Sequence, residues 1–131
     1  WDKGRFGLGF DDYRHEHEFI IYCYKKNREH NWYGGRDKGD IWHVSRGNSN
    51  AYTHPTQKPI EIPSIAIKNN SKFGDIILDI FLGSGTTMLA AHQLKRKCYG
   101  VEIDPIYCQI TIDRMRKLDD SLTIKKNGVI I

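Results

Sequence analysis

The stretch "LDIFLGSGTTMLAAHQL", residues 78–94, decides the fold class of this chain of 131 residues. Its first residues belong to the apolar run "DIILDIF", residues 75–81. Such a run is typical of a strand buried on both faces of a parallel sheet. Two glycines follow, then a helical pattern in "TTMLAAHQLKR" and a second apolar strand in "KCYGVEI". Strand, helix and strand over residues 75–103 predict one right-handed crossover of a parallel sheet. Ligands of such sheets bind at the carboxyl ends of the strands.

The turn at Gly83 and Gly85 narrows the class of ligand. Glycine lets the backbone turn tightly and approach a ligand without an intervening Cβ. A P-loop requires a lysine after its last glycine, where Thr86 stands, and a dinucleotide fold requires a third glycine, where Met88 stands. The remaining ligand class is a nucleoside without phosphate, such as S-adenosylmethionine (SAM). Glu102 at the end of the next strand supports it, because a carboxylate there can accept hydrogen bonds from ribose hydroxyls.

Further elements are predicted from periodicity and turn residues on both sides of the crossover. "IEIPSIAIKNN" predicts a helix that begins at Pro59 or Ile60, and "DPIYCQITIDRMRKL" predicts another. The tail predicts a hairpin around Asn127 and Gly128. Residues 19–24 are aromatic and β-branched and predict a strand, and residues 41–44 are a short strand candidate.

Composition and charge limit the class of protein without deciding it. The net charge of +4 and the pI near 9.0 suit an anionic partner such as nucleic acid, but many proteins without one are this basic. Cys23, Cys98 and Cys108 form no CxxC pair, which predicts buried free thiols in a reducing compartment and a cytoplasmic location. No apolar run is long enough to span a membrane, so no membrane partner is expected. His15 and His17 have no partner cluster, so no metal site is predicted, and the opening Trp1 suggests a fragment.

Three motifs in order resemble a known family. "HPTQKP" at residues 54–59, "LDIFLGSGTTMLAA" and "GVEIDPIYC" closely resemble the SAM-dependent DNA methyltransferases that methylate exocyclic amines. The order is similar to the permuted branch, whose catalytic half precedes its cofactor half. The resemblance covers residues 1–118 and implies an α/β fold with an incomplete Rossmann-like methyltransferase sheet. Residues 1–52 would end the catalytic half and carry a possible DNA-recognition segment, residues 53–118 would bind SAM, and residues 119–131 would form a tail.

Matched position by position, the resemblance implies a set of cofactor-binding residues. Thr87 would help to hold the methionine end, Glu102 would take the ribose hydroxyls, and Lys58 would be a partner for the carboxylate or simply a surface lysine. Asp79 would contact the cofactor or cap nearby backbone amides. The segment 54–59, which includes Gln57, would flank the methionine moiety. The full implied set is His54, Pro55, Thr56, Lys58, Asp79, Phe81, Gly83, Ser84, Gly85, Thr86, Thr87, Glu102, Ile103 and Asp104.

The chain departs from the family pattern at its catalytic motif. The tetrapeptide of Asp, Asn or Ser, then Pro-Pro and an aromatic residue, is absent, and Asp104-Pro105 lies after the ribose strand, so no catalytic residue is assigned. The family reaction is methyl transfer from SAM to N6 of adenine or N4 of cytosine in duplex DNA, a chemistry of restriction-modification. A non-catalytic SAM- or nucleic-acid-binding remnant is the alternative. An RNA or small-molecule methyltransferase is a second rival, which "HPTQKP" disfavours.

The basic and aromatic segment over residues 25–46 is the predicted DNA contact, or else a solvated loop. Basic side chains suit phosphates and aromatic ones suit extruded bases. In the family, further strands lie between the strand at residues 19–24 and the strand at residues 76–79, so these two should not be neighbours here. The expected protein partner is the missing catalytic half or a second copy of the chain. The predicted DNA-binding side chains are Lys25, Lys26, Arg28, Arg36, Lys38 and Arg46.

Overall fold

The computed structural model describes residues 1–7, 10–45 and 57–130, and it confirms the predicted crossover. Strands β1 and β2 are parallel, with Ile76 opposite Lys97 and Asp79 opposite Gly100. The short strands β3 and β4 form the predicted hairpin, in which Asn127 and Gly128 both have positive φ, as its two-residue turn requires. In chain order the elements are α1 (Glu61–Asn70), β1 (Ile76–Asp79), α2 (Thr86–Gln93), β2 (Lys97–Gly100), α3 (Pro105–Leu118), β3 (Lys125–Lys126) and β4 (Val129–Ile130).

The core lies where α1 and α2 pack against one face of the β1–β2 pair. Ala90 and Ala91 on α2 are fully buried beside Ile67 of α1, and Ile77 and Cys98 of the two strands pack against them. The small alanine side chains let α2 approach both α1 and the sheet. This packing holds the glycine turn between β1 and α2 at the edge of the sheet.

The opposite face of the β1–β2 pair is bare within the described part of the chain. Ile76 and Leu78 are 64% and 66% exposed, and Tyr99 and Val101 of the neighbouring strand are 60% and 57% exposed. Because side chains alternate along a strand, these belong to the face turned away from α1 and α2. The sequence pattern of a strand buried on both faces is therefore satisfied on one face only, as an incomplete sheet requires.

Two polar groups set the ends of the helices. The Asp104 side chain accepts a hydrogen bond from the Ile106 amide at 2.8 Å and Pro105 follows it, so α3 begins with a capped first turn. Arg96 lies in the turn after α2, and its guanidinium donates to the Ser71 carbonyl at 2.6 Å, the Ser71 hydroxyl at 3.1 Å and the Leu94 carbonyl at 2.5 Å. It ties the end of α1 to the turn after α2.

Two predicted strands are wrong. Residues 19–24 and 41–44 form no strand, and this region has only isolated bridges from Asp2 to His17 and from Asp2 to His43. A strand needs a continued ladder of hydrogen bonds with a neighbour. Beside residues 41–44 Asp2 supplies a single bridge, through Trp42 and Val44, and the described residues supply no ladder beside residues 19–24. Phe19 and Ile21 are accordingly 91% and 88% exposed.

The cysteines are free, as predicted, but Cys23 and Cys108 are exposed rather than buried. Burial raises the pKa of the half-buried Cys98 thiol.

Across the described ranges, no helix is long and apolar enough to cross a membrane. Those same ranges hold no group of three or more His, Cys, Asp or Glu side chains that could bind a metal ion.

Candidate cofactor site

A cavity of about 500 Å³ lies at the carboxyl ends of β1 and β2, where the crossover places ligands. Its floor is the glycine turn, one wall is the first half of α1, and another wall is the end of β2 with the start of α3. The lining residues are Ile20, Trp42, Gln57, Lys58, Ile62, Pro63, Ala66, Asp79, Phe81, Leu82, Gly83, Ser84, Thr86, Thr87, Glu102 and Tyr107.

Glu102 is the central acceptor of this cavity. One carboxylate oxygen accepts from the Gly83 amide at 2.6 Å and the other from the Asp104 amide at 2.9 Å. These backbone donors, that of Asp104 first, lower the pKa of Glu102 below its ordinary value. Each carboxylate oxygen has a second lone pair, so an ionised Glu102 can still accept hydrogen bonds from ligand hydroxyls.

The glycine turn presents backbone donors to the cavity. Gly83 and Gly85 both adopt left-handed φ values, 54° and 80°. Gly85 is the N-cap of α2 and has no side chain to cap it, and no side chain of the described residues is recorded as an acceptor for the first amides of α2. Free amides at a helix N-terminus favour a carboxylate or phosphate.

Gly83 and Gly85 differ in what surrounds the position of a side chain. A Cβ on Gly83 would meet only the Phe81 carbonyl at 4.0 Å, so the space above it stays open. A Cβ on Gly85 would lie 2.6 Å from Thr111 Cγ2 of α3, and Gly85 does not line the cavity. Its role as a cofactor contact stays a prediction, while its lack of a side chain is explained by the packing of α3 against it.

One buried acceptor at the cavity is unsatisfied. The Gln57 side-chain oxygen is inaccessible to solvent and has no hydrogen-bond partner within the described residues. A buried polar atom without a partner costs free energy, and such atoms are rare in native proteins. Gln57 lines the cavity but its oxygen is covered, so a ligand donor such as an amine reaches this oxygen only when the side-chain amide rotates.

Most of the predicted cofactor residues that fall in the described ranges line the cavity, but Gly85, Ile103 and Asp104 do not. Ile103 is 97% exposed, and the Asp104 side chain caps α3. His54, Pro55 and Thr56 lie outside the described residues. The predicted residues that do line the cavity are Lys58, Asp79, Phe81, Gly83, Ser84, Thr86, Thr87 and Glu102.

Two of the predicted residues have other contacts as well. The Lys58 ammonium is paired with the Glu18 carboxylate and lies 5.4 Å from the centre of the Trp1 ring. Its predicted role as a carboxylate partner stays a prediction. The Asp79 carboxylate accepts from the Phe81 amide at 3.0 Å, which is the capping contact, while the residue also lines the cavity.

Sequence reasoning missed several wall residues. Ile62 and Ala66 are four positions apart on α1, and Tyr107 lies in the first turn of α3, so helical periodicity after "QKP" and "DP" carried a signal for them. Ile20 and Trp42 come from irregular segments, and no local pattern places them at the cavity.

The predicted DNA-binding segment is exposed and irregular. Tyr24 stacks on His30 with 4.4 Å between ring centres, and Trp32 and Tyr33 are 38% and 42% exposed. Lys38 is paired with Asp37 at 2.7 Å, which compensates part of its charge. Arg46 lies outside the described residues. The remaining predicted cations, all exposed, are Lys25, Lys26, Arg28 and Arg36.

A family model described as DNA methylase, for N6 and N4 methyltransferases, matches residues 1–113. The chain belongs to this family. Type II methyltransferase M2.LlaDCHI of Lactococcus lactis is 37% identical over 73% of the chain and 36% of the relative. M.HpaI of Haemophilus parainfluenzae, another Type II methyltransferase, is 36% identical over 62% of the chain and 27% of the relative. The chain thus spans only about a quarter to just over a third of their length.

Solved structures agree with the family assignment. The M1.HpyAVI–SAM complex has a TM-score of 0.61 and 29% identity, covering 70% of this chain and 46% of that one. The cytosine-N4-specific PvuII DNA methyltransferase has a TM-score of 0.53 and 26% identity, covering 66% and 34%. The predicted class, α/β with an incomplete Rossmann-like sheet, is confirmed for this member of the family.

Proposed function

We propose that this chain is the cofactor-binding portion of a DNA methyltransferase that transfers a methyl group from SAM to N6 of adenine or N4 of cytosine in duplex DNA. Membership of the DNA methylase family supports the reaction class. The observation that carries the cofactor assignment is the Glu102 carboxylate in a cavity floored by the glycine turn.

The cavity's donors and acceptors fit SAM. Glu102 supplies acceptors for ribose hydroxyls, and the amides at the start of α2 supply donors for a carboxylate. On rotation of its side-chain amide, Gln57 supplies an acceptor for the ammonium of the amino-acid end. The volume of about 500 Å³ lies within the range of small-molecule sites.

Bound SAM supplies a methyl group already activated by its sulfonium, so the protein's contribution is binding and alignment. In this chain Glu102, the turn and α2 hold the cofactor. The sequence contains no Pro-Pro-aromatic tetrapeptide to hold the target amine. The chain alone therefore binds the cofactor without transferring methyl groups, and the base-holding part comes from another segment, another polypeptide or a second copy. The division at residues 52 and 118 stays a prediction.

DNA approaches, in this proposal, along the exposed segment that carries Lys25, Lys26, Arg28 and Arg36. The exposed rings of Trp32 and Tyr33 among these cations suit bases and phosphates together. The Type II relatives favour a cytoplasmic role in restriction-modification. Family membership disfavours the RNA and small-molecule rivals.

Calorimetric titration of the chain with S-adenosylhomocysteine (SAH) tests the cofactor site. We expect binding that Glu102→Ala weakens at least tenfold, because two ribose hydrogen bonds to a charged acceptor are lost. Absence of binding at millimolar SAH contradicts the proposal and favours the alternative of a non-catalytic remnant. The missing tetrapeptide is consistent with that alternative. A tritium-methyl assay on mixed-sequence DNA should show no turnover by this chain. Turnover would contradict the proposal that the chain binds the cofactor without transferring methyl groups.

A further inference from the structure

Arg114 of α3 contacts the glycine turn from behind the cavity. One terminal guanidinium nitrogen, which carries two protons, donates one of them to the Ser84 carbonyl and shares the other between the Ser84 hydroxyl at 3.0 Å and the Thr86 hydroxyl at 3.2 Å. Ser84 and Thr86 are only 9% and 8% exposed, yet both line the cavity, whereas Arg114 does not. One turn earlier on α3, the Thr111 hydroxyl donates to the Gly83 carbonyl at 3.1 Å. Two α3 side chains therefore hold the turn on the side away from the ligand.

The guanidinium determines which way the two hydroxyls can donate. A guanidinium has donors only, whereas a hydroxyl has one proton and two lone pairs. Because Ser84 and Thr86 accept from Arg114, each must direct its own proton elsewhere. The structure gives neither proton an acceptor within the described residues. The cavity is the face they share, so each hydroxyl is left as a donor toward whatever lies there.

We propose that Arg114 is a positioning residue that makes the Ser84 and Thr86 hydroxyls donors to an anionic group, and that it thereby selects ligands with a carboxylate at this end. The inference rests on the proposed function and names the part of the cofactor that this end of the cavity recognises. The amides at the start of α2 favour the same charge. Burial lowers the pKa of Arg114, but a guanidinium remains protonated at physiological pH.

The test compares two ligands that differ only in the carboxylate: SAH and its decarboxylated analogue, which keeps the nucleoside, thioether and amine. For Arg114→Met we expect SAH affinity to fall about tenfold, the effect of losing one hydrogen bond to a charged group. Affinity for the decarboxylated analogue should change less than about twofold. Lys117→Met removes an exposed cation from the same helix and is the matched control, expected to leave both affinities unchanged.

Arg114→Lys keeps donors at this place and should restore part of the SAH preference. Thr86→Val keeps the side-chain shape but removes the hydroxyl, and it should reproduce the selective loss even if Arg114→Met fails to fold. Equal weakening of both ligands in Arg114→Met and Thr86→Val would overturn the inference, because a purely structural role predicts that result. Unchanged SAH affinity in both variants would also overturn it while leaving the proposed function intact. Failure of the unaltered chain to bind SAH would overturn both.

Discussion

Thr111 of α3 occupies the space where a side chain on Gly85 would lie. A Cβ added to Gly85 sits 2.6 Å from Thr111 Cγ2 and 2.7 Å from its hydroxyl oxygen. The same hydroxyl donates to the Gly83 carbonyl at 3.1 Å. The cofactor turn therefore has two sides: Gly83 faces the cavity, and Gly85 is the contact through which α3 holds the turn.

Gly85→Ala should destabilise the fold by about 3 kcal/mol, because a left-handed φ of 80° and a clash with Thr111 act together. Gly83→Ala is the matched control, since it has a left-handed φ of 54° with its nearest neighbour at 4.0 Å. It should cost about 1 kcal/mol and weaken SAH binding instead. Urea denaturation measures both. Thr111→Ala in the Gly85→Ala background should recover part of the loss, and no recovery would mean the clash is not the cause.

SAH binding should depend on pH only at the acid end. The Asp104 and Gly83 amides depress the pKa of Glu102, so its carboxylate is present above the ordinary value of 4.5 and is lost only as pH falls through the depressed value. Affinity should therefore be flat from about pH 8 to about pH 5 and fall below that range. Calorimetry from about pH 8 to below about pH 5 measures both the flat range and the acid limb. In Glu102→Gln, binding should be weaker throughout and the acid limb should disappear; its persistence would assign the limb to another group.

Replacing Gln57 should separate binding from stability. Gln57→Leu removes a buried acceptor that has no described partner, so thermal stability should stay equal or rise. SAH affinity should fall about tenfold if this oxygen accepts from the ligand ammonium. Gln57→Glu retains an acceptor and adds negative charge, and it should keep or improve affinity. An unchanged affinity in Gln57→Leu would remove this residue from the site.

Arg96→Met should lower the free energy of unfolding by about 2 kcal/mol. The guanidinium makes three hydrogen bonds to Ser71 and Leu94, and the substitution leaves their carbonyls without that donor. Lys97→Met removes a neighbouring exposed cation and serves as the control, expected within about 0.5 kcal/mol of the parent. Equal effects of the two substitutions in chemical denaturation would show that charge rather than the contacts is responsible.

The elements from α1 to α3 could be predicted because their signals are local. Apolar runs, the glycine turn and the Asp104-Pro105 start of α3 each act within a few residues, and the helices and strands there form as expected. The predicted strand at residues 19–24 was wrong because strand formation depends on a partner elsewhere in the chain. Its composition is that of a strand, but the described residues offer it no ladder.

The sequence by itself determined the parallel crossover, the glycine turn, the acidic strand end at Glu102 and membership of a recognisable family. These features are encoded by residue type and spacing along one stretch of chain. Only the tertiary structure decided that Gly85 packs against Thr111 of α3, that Asp104 caps a helix, and that Arg114 lies behind the turn. The reason is that Thr111 and Arg114 lie 26 or more positions along the chain from the turn they contact, so no local sequence pattern predicts these contacts.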